Sequence, residues 1–256
     1  MNRIDQVFKQ IKRENRKALI PYIMAGDPDL GSTKDLVLDL ESAGADIIEL
    51  GVPFSDPLAD GPTIQRAAER SLQQGTTLRK VLALVKEIRR HTRIPLVLMT
   101  YYNPVFRFGI ERFAEEAVRA GVDGTIIPDL IPDEADDFIR AAKQHGLDTV
   151  FLLAPTSTPD RIRKVTKAAT GFIYYVSITG ITGSKLSMSS AMKNTLEAVK
   201  KSSNKPVAVG FGISNPAEAS AAAKLADGVI IGSAIVKMIA QGKSVNSFVK
   251  NIRKAI

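Results

Sequence analysis

The sequence predicts an α/β fold, a (β/α)8 barrel over residues 1–256 as a single domain with an extra N-terminal helix. Three observations carry that prediction. Short apolar runs alternate with longer segments of helical spacing from end to end, which implies parallel strands joined by right-handed crossovers. Eight such runs in 256 residues match this barrel in number and size. A recurring phrase, Ala43-Gly44-Ala45-Asp46, Ala120-Gly121-Val122-Asp123, His145-Gly146-Leu147-Asp148 and Leu225-Ala226-Asp227-Gly228, stands before four of the runs. In three of the four a glycine suits the position just past a helix end. Such links belong at the barrel bottom, where recurring residues serve folding, so no chemistry is expected of Asp46, Asp123, Asp148 or Asp227. An open doubly wound sheet is the competing architecture, but no Gly-x-Gly-x-x-Gly follows the first strand.

Met1 to Gln10 alternates charged with apolar residues, lacks the apolar core and cleavage site of a signal peptide, and predicts an amphipathic helix. Strands are predicted over Ala18 to Ala25, Ile47 to Leu50, Pro95 to Thr100, Gly124 to Pro128, Thr149 to Leu153, Phe172 to Val176, Pro206 to Phe211 and Gly228 to Gly232. Leu36, Leu38, Leu40 and Ala43, then Val81, Leu82, Leu84, Val85 and Ile88, recur at helical spacing between strands. After the sixth strand, the long, small and polar loop Ser177 to Ser187 predicts a mobile lid.

Composition narrows the function classes. There is no cysteine, and the two histidines, His91 and His145, lie in unrelated segments, which argues against disulfides and a metal cluster and suits a cytoplasmic compartment. No apolar run approaches the ~20 residues that cross a bilayer, so no membrane partner is expected. The net charge of +8 is spread over helices without aromatic interleaving, so nucleic acid is not an expected partner either.

The second strand is the first candidate site. Side chains alternate faces, so Ile48 and Leu50 point one way while Ile47 and Glu49 point the other, toward an apolar interior. Burial there raises the pKa of Glu49, whereas Asp56 and Asp60, on the wetter Pro/Gly/Asp-rich loop from Pro53 to Pro62, need not shift. Neighbouring carboxylates so divided can share acid and base roles. Turn chemistry uses the same residues, and a strand-end Glu beside an Asp-rich turn is the plain alternative. Gly210-Phe211-Gly212-Ile213-Ser214 after the seventh strand and Gly232-Ser233-Ala234-Ile235-Val236 after the eighth stand where such barrels bind phosphate, with Ser233 as N-cap of a short helix. Tyr22, Met99, Tyr101, Ile126, Leu153 and Tyr174, from different strands, could wall one flat, largely apolar pocket.

Taken together, Glu49-Leu50-Gly51-Val52-Pro53-Phe54-Ser55-Asp56-Pro57-Leu58-Ala59-Asp60-Gly61-Pro62 and the two glycine blocks, in that order, closely resemble the tryptophan synthase alpha chain family over nearly the whole sequence. The resemblance implies a TIM barrel that cleaves indole-3-glycerol phosphate reversibly to indole and glyceraldehyde 3-phosphate without metal or organic cofactor. It implies that Glu49 is the general acid–base group and that Asp60 hydrogen-bonds the indole N–H. Tyr22, Tyr101, Ile126, Leu153 and Tyr174 would flank the indole; Thr182 would belong to the closing loop; Gly183, Gly212, Gly232 and Ser233 would hold phosphate. It further implies a pyridoxal-phosphate beta subunit as partner, in an α2β2 complex docked over the strand-end face at loops Pro53 to Pro62 and Tyr101 to Phe108. The sequence departs from familiar members at Ile178, where they carry Arg, and at Pro128, where they carry a small residue. A free-standing indole-3-glycerol-phosphate lyase and a weakly catalytic subunit that mainly activates a beta subunit are the alternatives.

Overall fold

In the computed structural model, which describes residues 2–176, 190–210 and 212–256, the described strands are all parallel and form one sheet. They are β1 (Ala18–Met24), β2 (Ile48–Gly51), β3 (Leu96–Met99), β4 (Gly124–Ile126), β5 (Asp148–Val150), β6 (Leu152–Leu153), β7 (Ile173–Val176), β8 (Val207–Gly210) and β9 (Gly228–Ile231). The order across the sheet is β5-β4-β3-β2-β1-β9-β8-β7-β6. The fifth expected strand is therefore two. Its first part pairs with β4 and its second with β7, with Phe151 between them. Because both sheet edges belong to this one extended segment, the sheet closes on itself there, and the change of partner interrupts the strand.

Two apolar layers position everything else. Leu19, Ile23, Ile48, Leu50, Leu96 and Leu98 face outward into the shell of helices. Ile20, Ile47, Val97, Ile126, Val150 and Ile230 face inward. The helix Leu78–Ile88 buries the expected stripe from Val81 to Ile88. The helix Leu30–Ser42 instead buries Thr33, Val37 and Leu40, leaving Leu36 and Leu38 half-buried, because the 3.6-residue turn sets the inward face on Val37.

The N-terminal helix, Arg3–Arg13, closes the barrel bottom. Asn2 caps it by accepting from the Asp5 N–H, and Ile4, Phe8 and Ile11 join the inner layer. The Phe8 and Phe172 rings lie 5.8 Å apart. Around this plug, Asp46 accepts the Leu19 N–H at 2.8 Å, Asp123 accepts the Leu96 N–H at 2.9 Å, and Asp227 accepts the Val207 N–H at 2.9 Å. Each takes a strand-entry donor, a group that is costly to bury unpaired. Arg253 braces Asp46, and Arg3 and Arg89 both bind Asp123. Asp148 binds the Asn2 amide. The recurring aspartates are structural, as expected of links at the bottom.

At the opposite end, two tyrosines fill the mouth over two glycines. A Cβ at Gly51 would lie 2.2 Å from the Tyr22 hydroxyl, and one at Gly210 would lie 2.3 Å from the Tyr174 hydroxyl. Gly51→Ala is therefore expected to cost about 1–3 kcal/mol by overpacking, read as a lower urea midpoint at unchanged slope. A midpoint equal to that of the unaltered protein would show that Tyr22 can yield freely. Among the described residues no helix is long and apolar enough to cross a membrane.

Candidate active site

The pleat of β2 delivers Glu49 to the inner face, where it is 1% exposed. Neither carboxyl oxygen has a hydrogen-bond partner among the described residues. Burial first, and the charge of Asp60 second, push its pKa up to about 8. At neutral pH Glu49 is thus mainly a protonated acid held without a partner, in a place where something other than the protein can accept its proton.

Asp60 corrects the sequence reading. Burial pushes its pKa up as well, to about 6, against the opposing effect of a hydrogen bond from Tyr101. The loop is drawn down onto the barrel rather than left in water. The Tyr101 hydroxyl donates to Asp60 Oδ2 at 3.0 Å and accepts the Ala59 N–H at 3.1 Å, while the Phe54 and Tyr101 rings meet at 5.3 Å. Gln65, on the helix Pro62–Gln73 that follows, donates to the Asp60 carbonyl at 2.8 Å. Asp56 stays exposed and accepts from Ser55.

Glu49 and Asp60 line one cavity of about 510 Å³. Tyr22, Met99, Ile126 and Tyr174 wall it as expected, and Pro128 does too. The phenols of Tyr22 and Tyr174 are held well above the ordinary tyrosine pKa, by burial and then by the two carboxylates, and remain neutral. Two expected wall residues are placed elsewhere. Leu153 points into the outer helical layer and Leu152 lines the cavity, because inward positions alternate from Val150. Tyr101 does not line the cavity but stands behind Asp60 and orients it.

The cavity is also lined by Gly212, Ser214, Gly232 and Ser233, from the loops after β8 and β9. Gly212 has φ +73°, a left-handed conformation that favours glycine. Ser233 is not the N-cap. It is the first residue of the helix Ser233–Ala240, Gly232 holds the cap position, and no side chain caps that end. Among the described residues no side chain takes up the first N–H groups of this helix, which suits an anion. Thr182, Gly183 and Ile178, with the expected lid, lie outside the described residues. Lys237 lines the cavity and was not anticipated. Its spacing of four from Ser233 was the available signal, since such pairs share a helix face.

Residues 8–255 match the family model of the tryptophan synthase alpha chain. The chain is 52% identical to the tryptophan synthase alpha chain of Geotalea daltonii over 258 aligned positions, covering 100% of this chain and 98% of that one. It is 50% identical to that of Geobacter sulfurreducens, covering 100% and 99%. Among solved structures it is similar to tryptophan synthase subunit alpha from Legionella pneumophila, with a TM-score of 0.92 at 40% identity and coverage of 100% and 98%. It is similar also to a chain of tryptophan synthase from Mycobacterium tuberculosis, at TM-score 0.91 and 39% identity with 100% of both chains covered.

Proposed function

Because the chain belongs to the tryptophan synthase alpha chain family, we propose that this cavity cleaves indole-3-glycerol phosphate, with Glu49 and Asp60 as the two carboxylates that carry the chemistry. The enzyme is a lyase of tryptophan biosynthesis, and its half-reaction yields indole and glyceraldehyde 3-phosphate. The observation that carries the residue assignment is the shared cavity: a protonated glutamic acid with no partner among the described residues, a half-buried aspartate, and glycine and serine backbone all line it.

The chemistry follows from those positions. Glu49 gives its proton to indole C3, which places positive charge on the ring nitrogen. Asp60, accepting from the indole N–H, stabilises that charge where water cannot. The bond from C3 to the glycerol chain then breaks, its electrons return to the ring, and the adjacent hydroxyl becomes an aldehyde as its proton passes to Glu49. The proton count closes on Glu49. Apolar walls hold the indole, and the rim of Gly212, Gly232 and Ser233 holds phosphate.

Only proton transfers are required, and we assign this chain neither metal nor organic cofactor. Pyridoxal phosphate belongs to the partner beta subunit, with which the chain forms an α2β2 complex in the cytoplasm. The strand-end face supports docking there. Leu58, after β2, is 93% exposed and Phe106, after β3, is 63% exposed, and large apolar groups left exposed on one face suit a partner surface. Phe106 lies on a short helix, Tyr102–Phe108, where the sequence suggested a loop.

Titrating cognate beta subunit into the chain, with indole release and light scattering followed together, tests this reading. Indole release from the chain alone, raised by the partner as the closed state is populated, is the expected result. Asp56→Ala and Asn103→Ala should reduce the activation more than the basal rate. Failure to release indole with or without partner would overturn the reading.

A further inference from the structure

The cavity is lined by charges of both signs. Glu49 and Asp60 both line it, and Lys237 is the only lysine or arginine among its described lining residues. Lys237 lies one helical turn beyond Ser233 on the helix Ser233–Ala240. Helical side chains tilt toward the N-terminus, so its ammonium is carried back over the turn that presents Ser233. Elsewhere, cations near the barrel are committed: Arg253 and Arg16 to Asp46, Arg89 and Arg3 to Asp123, Arg70 to Asp27. No salt bridge is formed by Lys237 among the described residues. An exposed lysine that lines the cavity without a salt bridge among the described residues, on the same helix as an N-terminus that no side chain caps, and in the same cavity as the buried Glu49 and the half-buried Asp60, is placed for a ligand with an anionic end.

We propose that Lys237 is a substrate-binding residue: it pairs with the phosphate of the phosphorylated substrate and fixes which end of the molecule faces the carboxylates. This rests on the reading above. Backbone N–H groups and a helix end recognise the shape of a phosphate, but they bring no full charge to set against a dianion. One ammonium supplies it and repels no part of an indole ring at the other end.

The test compares Lys237→Met and Lys237→Arg in the full chain with cognate beta subunit. Affinities for glycerol 3-phosphate and for free indole are measured by calorimetry, and kcat and KM with indole-3-glycerol phosphate. Lys237→Met should weaken glycerol 3-phosphate about tenfold or more, the loss expected for one charge-assisted hydrogen bond. KM should rise in parallel with little change in kcat, indole should bind as before, and the dependence of glycerol 3-phosphate affinity on salt should flatten. Lys237→Arg should restore most of the affinity. Glycerol 3-phosphate affinity within about twofold of the unaltered protein, or equal losses for both ligands, would overturn the proposal. If the unaltered protein binds glycerol 3-phosphate through Lys237 yet releases no indole, the anchor stands and the cleavage reading falls.

Discussion

Glu49→Gln should lower indole release by about 10²-fold or more while glycerol 3-phosphate binds within a few fold of normal, since the amide keeps the shape and loses the proton. Turnover above about a tenth of that of the unaltered enzyme would overturn the assignment. The same substitution has a stability signature. The Glu49 carboxyl has a pKa near 4.5 when ordinary and about 8 in the fold, so the folded state holds its proton more tightly. That advantage is complete below the unfolded pKa and is lost as pH rises through the folded one. Glutamine does not ionise. Relative to the unaltered protein, Glu49→Gln should therefore gain stability as pH rises across this window, by more than about 1.4 kcal/mol, the worth of one pKa unit. Urea midpoints at about pH 5 and about pH 9 measure it. A difference that does not change with pH would mean that Glu49 is not protonated in the fold.

Asp60→Asn should cost turnover about 10²-fold, because an amide does not balance the charge that develops on the indole nitrogen. The loss should fall on kcat, and a loss confined to KM would reduce Asp60 to a positioning group. The pH profile adds a second reading. Asp60 must be ionised, with a pKa of about 6, and Glu49 protonated, with a pKa of about 8, so kcat/KM should be bell-shaped between those values. Asp60→Asn should remove the acidic limb. Tyr101→Phe, which takes away the hydroxyl bonded to Asp60 Oδ2, should move that limb toward higher pH, since the bond favours the charged form.

The barrel was legible because its signals are local. A strand alternates with period two and a helix turns every 3.6 residues, so Ile47 and Glu49 could be set against Ile48 and Leu50 without knowing any neighbour. The same rule, followed strictly from Val150, places Leu152 and not Leu153 in the cavity. The split of the fifth strand had no such signal. It arises where the closing sheet changes partner at Phe151, which depends on β4 and β7 arriving from distant parts of the chain.

The sequence by itself determined the parallel order of strands and helices, the inward aim of Glu49, the bottom aspartates as fold-makers, and the two glycine blocks of the rim. Only the tertiary structure decided the ionisation of Asp60, the place of Tyr101 behind it, the cap at Gly232, and the arrival of Lys237 in the cavity. Periodicity says which way a side chain points. How much water it loses, and which charges and hydroxyls it then meets, is set by surfaces that β1, β2, β3, β7 and β9 bring together only when the barrel closes.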